Sequence, residues 1–209
     1  MKHAKRHPLI FGTIILTATG LITRVIGFFY RIYLSRLFGE EGMGIYQLLS
    51  PALSLSFSLT AAGYQTAISK YVAADSAKRP SGNLKPLLAG ISITLPLSLV
   101  TNAILFFSAD PIGIFLLKDH RTVPMLRILS FSVPFAALHA CINGYFYGKK
   151  KASVPALTQL LEQLARVSCV FLVTGADLAE GRTPSINAAV LGLTVGEIFS
   201  MLIALVCLY

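Results

Sequence analysis

Leu9-Ile-Phe-Gly-Thr-Ile-Ile-Leu-Thr-Ala-Thr-Gly-Leu-Ile-Thr-Arg-Val-Ile-Gly-Phe-Phe-Tyr-Arg-Ile-Tyr-Leu34 is 26 residues long and carries only two charges, Arg24 and Arg31. A helix needs about 20 mostly apolar residues to cross the hydrocarbon of a bilayer. This run is long enough, and its two arginines are the anomaly. A charge in hydrocarbon costs roughly 2.5–3.5 kcal/mol even on lenient insertion scales. Such residues face a packed interior, a watery cavity or the interface, and what they face decides what the protein does.

Working outward, the pattern recurs over residues of about 44–68, 86–108, 123–147, 153–175 and 186–209. The second of these is the least apolar, because it is rich in serine. Across the 209 residues, 55% are hydrophobic and 13% charged, and the mean hydropathy is +0.70. A soluble domain carries roughly 25% charge. Only helices and closed barrels satisfy their backbone in lipid. Barrel strands would be alternating runs of about ten residues, and these runs are longer and do not alternate. The expected fold is therefore all-α: a polytopic membrane protein of six transmembrane helices.

The connections agree. Gly39-Glu-Glu-Gly-Met-Gly44 is turn-prone, and polar loops occupy residues 75–83, 118–121, 148–151 and 176–184. Lys2, Lys5 and Arg6 precede the first span, Lys78, Arg79 and Lys85 follow the second, and Lys149, Lys150 and Lys151 follow the fourth. The intervening loops carry the acids Glu40, Glu41, Asp119, Asp177 and Glu180. The alternation places the N-terminus and the even-numbered loops in the cytoplasm. It also accounts for the net charge of +9 without nucleic acid, which is excluded as a partner. A secretory signal is excluded because the apolar pattern continues past any cleavage point. The sixth span runs flush to Tyr209, which leads us to expect a truncated chain or one half of a larger protein.

Stripes of polar residues mark the inward faces. Thr13, Thr17, Gly20, Arg24, Gly27 and Arg31 share one face of span one. The glycines of that face serve either close helix packing or the lining of a cavity. Arg31 either snorkels to the interface or joins Arg24 at that cavity. Span five carries Gln159, Glu162, Gln163 and Arg166 on one stripe, with the acid one turn before the base. The pair either staples helices together or lines a polar path. Gln47, Ser50, Ser54, Ser58, Ala61 and Gln65 align on span two. Glu197 lies in span six beside the close-packing motif Gly192-x-x-x-Gly196.

Chemistry-bearing motifs are lacking. Cys141, Cys169 and Cys207 fall in apolar segments without CxxC spacing, and His3, His7, His120 and His139 are scattered. No disulfide, metal site or cofactor is expected, and His139 reads as a packing or hydrogen-bonding residue of its helix. No phosphate-binding glycine loop or HExxH is present, no serine has an evident histidine partner, and an enzyme is not expected.

Several runs together resemble the stage V sporulation protein B family. They are Thr23-Arg-Val-Ile-Gly-Phe-Phe-Tyr-Arg-Ile-Tyr-Leu-Ser-Arg-Leu-Phe-Gly39 with Glu41-Gly-Met-Gly-Ile-Tyr-Gln47, then Ala67-Ile-Ser-Lys-Tyr-Val-Ala73. They continue with Asn143-Gly-Tyr-Phe-Tyr-Gly-Lys-Lys-Lys-Ala152, Pro155 and Leu161-Glu-Gln-Leu-Ala-Arg-Val167. That family lies in the polysaccharide-transporter branch of the multidrug/oligosaccharidyl-lipid/polysaccharide exporter superfamily, beside the lipid II flippases. The resemblance implies about fourteen spans in two lobes around a central cavity, with residues 1–209 as the N-terminal six-helix lobe and a C-terminal lobe as partner. It implies an undecaprenyl-pyrophosphate-linked saccharide as substrate. Arg24 matches a cavity arginine of the lipid II flippases, and Arg31 falls one residue beyond a second basic position near Tyr30. The span-two arginines of those flippases have no counterpart among the serines here.

The expected substrate-binding set is therefore Arg24, Arg31, Glu162, Gln163, Arg166 and Glu197. Its positive sum suits a pyrophosphate, since arginine grips phosphate oxygens in pairs. A cation-coupled multidrug antiporter of the same superfamily would prefer the acids, and a non-transporting membrane scaffold for envelope assembly would need no shared cavity.

Overall fold

A computed structural model describes residues 8–78 and 84–208. The basic tail with Lys2, His3, Lys5, Arg6 and His7, and the loop stretch with Arg79, lie outside the described residues. Among those described, every long element is an α-helix: α1 (Pro8–Leu48), α2 (Ser50–Phe57), α3 (Gly63–Lys78), α4 (Lys85–Phe107), the single turn α5 (Ala109–Pro111), α6 (Thr122–Gly148), α7 (Ser153–Ala179) and α8 (Asn187–Val206). The last four long helices fall within a few residues of the expected spans. The protein is an all-α, multi-pass membrane protein.

The first two spans are joined differently from the expectation. In place of a loop over Gly39–Gly44, α1 continues to Leu48, and inside it only Gly39 leaves helical geometry, at φ 68° and ψ −176°. That conformation strains a side chain and suits glycine. The helix resumes at once, because Glu40, Glu41 and Met43 are good helix formers. From Gly12 to Ser76 the chain is nearly continuous helix over 65 residues, about 95 Å at 1.5 Å per residue. Hydrocarbon about 30 Å thick cannot hold this as one crossing, and Gly39 divides it into two. Tyr30 and Leu34 before the bend share a buried cluster with Met43 after it. The last part of the second crossing is reshaped by a π-helical turn at Ser58–Ala62 between α2 and α3.

Close approaches fix the order of packing. A Cβ on Gly12 would lie 3.3 Å from Ala152 Cβ, at the start of α7, and Tyr33 Oη is 2.7 Å from Thr174 Oγ1 near its end, so α1 and α7 run parallel. Gly144 and Gly148 of α6 meet the carbonyls of Gln65 and Ser69, where a Cβ would stand 2.6 and 2.7 Å away, so α3 and α6 are parallel too. Gly192 of α8 sits against Val170 and the Arg166 carbonyl, and Gly196 against the Glu162 carbonyl. Small residues let helix backbones meet where lipid supplies no hydrophobic drive between them. Helix α6 is the central element. It packs against α3, α4 and α8, with Met125, Leu126 and Leu129 in one core cluster and Cys141, Ile142, Tyr145 and Phe146 in another.

The loops sort to two ends. Arg121 after α5 bonds Glu41 after the Gly39 bend at 2.7 Å, so the first and third connections lie together. Gly12, Ser69, Gly148 and Ala152 gather at the other end. Sequence periodicity and geometry therefore agree on alternating crossings.

Candidate functional site

Three helices bring three titratable side chains to one place. His139 of α6, Glu162 of α7 and Glu197 of α8 each offer a ligand atom, and these atoms lie within 4.8 Å of one another. The local cause is Gly196. Its bare backbone lets α8 touch α7, where a Cβ would stand 3.1 Å from the Glu162 carbonyl and 3.3 Å from Arg166 Cβ. The next residue, Glu197, is thereby carried to the Glu162 side chain.

The hydrogen bonds around His139 are directional. Asn143 Nδ2 is 2.9 Å from His139 Nε2. An amide nitrogen only donates, so with the amide in this orientation Nε2 accepts. Nδ1 faces Ser200 Oγ at 3.0 Å, and Ser200 donates its own proton to the Glu197 carbonyl at 3.2 Å. Glu197 Oε2 stands 3.7 Å from Nδ1, beyond hydrogen-bond length. Thr158 Oγ1 flanks Nε2 at 3.2 Å and donates to the Pro155 carbonyl. On the other side, Arg166 Nη2 donates to Glu162 Oε1 one turn earlier on α7. The expected i,i+4 pair is present, with side chains only 21% and 17% exposed.

His139, Glu162 and Glu197 border a cavity of about 220 Å³ with Gln65, Asn143, Tyr147 and Gln159. A larger cavity of about 480 Å³ lies beside Arg31, Tyr46, Gln47 and Ser50, with Leu129, Val190 and Leu193 on its apolar wall. Tyr46 is close enough to both Arg166 and Arg31 to interact with their charges. The Tyr30 hydroxyl and Arg166 Nε are buried without hydrogen-bond partners.

Of the six residues singled out in the sequence, Glu162, Arg166 and Glu197 meet. Gln163 turns toward α1, its Nε2 3.6 Å from where a Gly27 Cβ would be. Arg24 and Arg31 are exposed on α1, without an ion-pair partner among the described residues. Gly20, on the same stripe, has nothing within 4 Å of where a Cβ would stand, so its face is open there. The stripe on span two divides: Gln47 and Ser50 border the larger cavity, Gln65 the smaller, and Ala61 is fully buried.

Sequence reasoning read His139 correctly as a hydrogen-bonding residue but missed its place beside the two glutamates. The i,i+4 spacing of His139 and Asn143 on an apolar helix was the available signal. The expectation that no serine has a histidine partner is corrected by Ser200. The arrangement still lacks the order of an acyl-transfer triad, in which serine and carboxylate bind opposite ring nitrogens. Here Ser200 and Glu197 face the same one, Nδ1, and the hydroxyl is buried.

Comparison with known proteins places this geometry. The chain matches the family described as polysaccharide biosynthesis protein over residues 9–209. It is 36% identical over 197 residues to Stage V sporulation protein B of Bacillus subtilis (strain 168), covering 94% of this chain and 38% of the relative. It is 27% identical over 179 residues to Lipid II flippase MurJ of the same organism, covering 81% of this chain and 32% of that protein. It is likewise 27% identical over 164 residues to the Uncharacterized membrane protein YabM of that organism, covering 78% of this chain and 30% of the other. The chain thus spans well under half the length of these relatives. No solved structure matches it. The six-crossing bundle, its polar interior and these matches together make the chain a member of the polysaccharide biosynthesis protein family, in the polysaccharide-transporter branch of the multidrug/oligosaccharidyl-lipid/polysaccharide exporter superfamily.

Proposed function

We propose that this chain is the N-terminal six-helix lobe of a flippase for undecaprenyl-pyrophosphate-linked oligosaccharide or peptidoglycan precursor, serving cell-wall or spore-envelope synthesis by alternating access. The N-terminus and the loop Lys149–Lys151 face the cytoplasm, as the basic residues ask. A C-terminal lobe of the same protein completes the central cavity.

The observation that carries this reading is the pair Arg24 and Arg31, two turns apart on the exposed side of α1, with Arg31 on the rim of the larger cavity. Unpaired arginines facing lipid would be costly. Facing a shared aqueous cavity, they offer planar donors to a pyrophosphate. The flippase and sporulation names of the relatives agree with it.

The test is flipping of a fluorescent undecaprenyl-pyrophosphate disaccharide by the full-length protein in liposomes. Arg24→Ala abolishes transport while leaving expression and insertion near normal, and Arg24→Lys restores it partly, because an ammonium keeps the charge without the fork. Full transport by Arg24→Ala removes the substrate role.

One observation favours a second reading, the cation-coupled antiporter: the acids Glu162 and Glu197 lie together at a cavity. Export of cationic drugs by the same liposomes, with no movement of the lipid-linked sugar, would select it.

A further inference from the structure

We propose that two grooves flanking Tyr71, on the outer side of α3 and α4, hold the two acyl chains of one anionic phospholipid, a phosphatidylglycerol, whose phosphate lies between Lys70 and Lys85. The site is apart from the polar interior and does not depend on the transport reading above.

Helix α3 ends at Lys78 and α4 begins at Lys85, so the two are antiparallel neighbours. They touch at Gly90, where a Cβ would stand 2.3 Å from Ile68 Cδ1. Beside that contact a groove of about 500 Å³ opens between Tyr64, Ala67 and Tyr71 of α3 and Lys85, Ala89 and Ile93 of α4. Lys85 is its one charged wall residue and stands at the Tyr71 end, with Tyr64 and Ile93 at the other. From Lys85 to Ile93 is about 12 Å at 1.5 Å per residue, most of the depth of one leaflet in hydrocarbon about 30 Å thick. A second groove of about 450 Å³ runs along Gly63, Thr66, Lys70 and Ala74 of α3. Those residues lie on one side of the Ala67–Tyr71 row, and Tyr64 and Ile68 on the other. Ala67 and Tyr71 border both grooves, which are thus a pair parted by one ring, 70% exposed.

Depth, charge and shape name the occupant. The Ser69 carbonyl meets Gly148, which precedes the basic loop Lys149–Lys151. Lys70 and Tyr71 therefore sit near the headgroups, where tyrosine is the usual anchor and lysine extends its ammonium to the interface. Lys70 and Lys85 are both exposed. The acid of α3, Asp75, borders neither groove. Two ammonium groups beside hydrocarbon channels attract a lipid phosphate. A zwitterionic headgroup brings its own cation to that place, and an anionic one does not. Two grooves under one basic mouth match two chains on one phosphodiester, whereas a polyprenyl phosphate has a single chain and leaves one groove unfilled.

The experiment is native mass spectrometry of the purified protein, titrated with phosphatidylglycerol, phosphatidylcholine and undecaprenyl phosphate. The first phosphatidylglycerol is expected to bind on the order of ten-fold tighter than phosphatidylcholine, the scale set by two basic side chains at one phosphate. Lys70→Gln with Lys85→Gln should bring it to the phosphatidylcholine level. Ala67→Trp, an exposed position on the wall of both grooves, should weaken it several-fold with both lysines in place. Wild type that does not favour phosphatidylglycerol overturns the proposal, whatever the variants do. So does a preference unchanged in either folded variant. Undecaprenyl phosphate that displaces phosphatidylglycerol at equal or lower concentration gives the grooves to a single-chain lipid and overturns it too.

Discussion

Glu162 and Arg166 are paired across one turn of α7, and the Glu197 carboxylate of α8 lies within 4.8 Å of that of Glu162. Glu162→Ala leaves Arg166 without its partner but also relieves the approach of two carboxylates. Arg166→Ala leaves two carboxylates facing each other. Removing one member of a buried pair costs about 3–5 kcal/mol, and Arg166→Ala is expected at the upper end of that range. Glu162→Ala falls below it, and the double variant costs less than Arg166→Ala. Unfolding in detergent at pH 8 measures the order, and strictly additive effects in the cycle would argue against direct pairing.

Gly192 supplies a packing prediction. A Cβ there would come within 2.4 Å of Val170 Cγ2 and 2.9 Å of the Arg166 carbonyl oxygen. Gly192→Ala should destabilise the protein by about 1–3 kcal/mol, the usual cost of overpacking. Adding Val170→Ala should recover only part of it, since the carbonyl cannot step aside. Gly20→Ala should be neutral or slightly stabilising, because nothing lies within 4 Å and alanine is the better helix former. Thermal unfolding of the three variants checks the ranking.

Orientation is tested by labelling. A cysteine at Asp177, in the last turn of α7 where Arg182 bridges Asp177 and Glu180, should react with an impermeant thiol reagent in intact cells. A cysteine at Lys150 should react only after the membrane is opened. The reverse pattern inverts the assigned topology.

The third connection carries a pH prediction. Two hydrogen bonds from the Arg121 side chain, and a third from its backbone N–H, hold the Asp119 carboxyl below its ordinary value of 3.8. A depressed native value means that the stabilisation is present above the unfolded value and fades as pH falls through the native one. At pH 7 the contact is intact, and it is lost only below about pH 4. Because the pair is exposed, Asp119→Asn should cost no more than about 1 kcal/mol. The difference in melting temperature between Asp119→Asn and wild type should therefore shrink progressively as the pH falls below about 4.

By itself, the sequence determined the membrane class, the places of the last four long helices, the alternation of the crossings and the paired charge on α7. All of these follow from local properties: run length, the side on which basic residues fall, and the 3.6-residue period that puts Glu162 above Arg166. Tertiary structure decided the rest. Whether Gly39–Gly44 forms a loop or a single bent residue depends on how neighbouring turns continue. Glu162 and Glu197 are 35 residues apart in the chain, and no periodicity connects them. They meet because Gly192 and Gly196 let α8 lie against the backbone of α7. The same approach carries His139 beside two acids and leaves Arg24 and Arg31 on the open face of α1. A helical stripe states which residues share a face, but only packing chooses what that face meets.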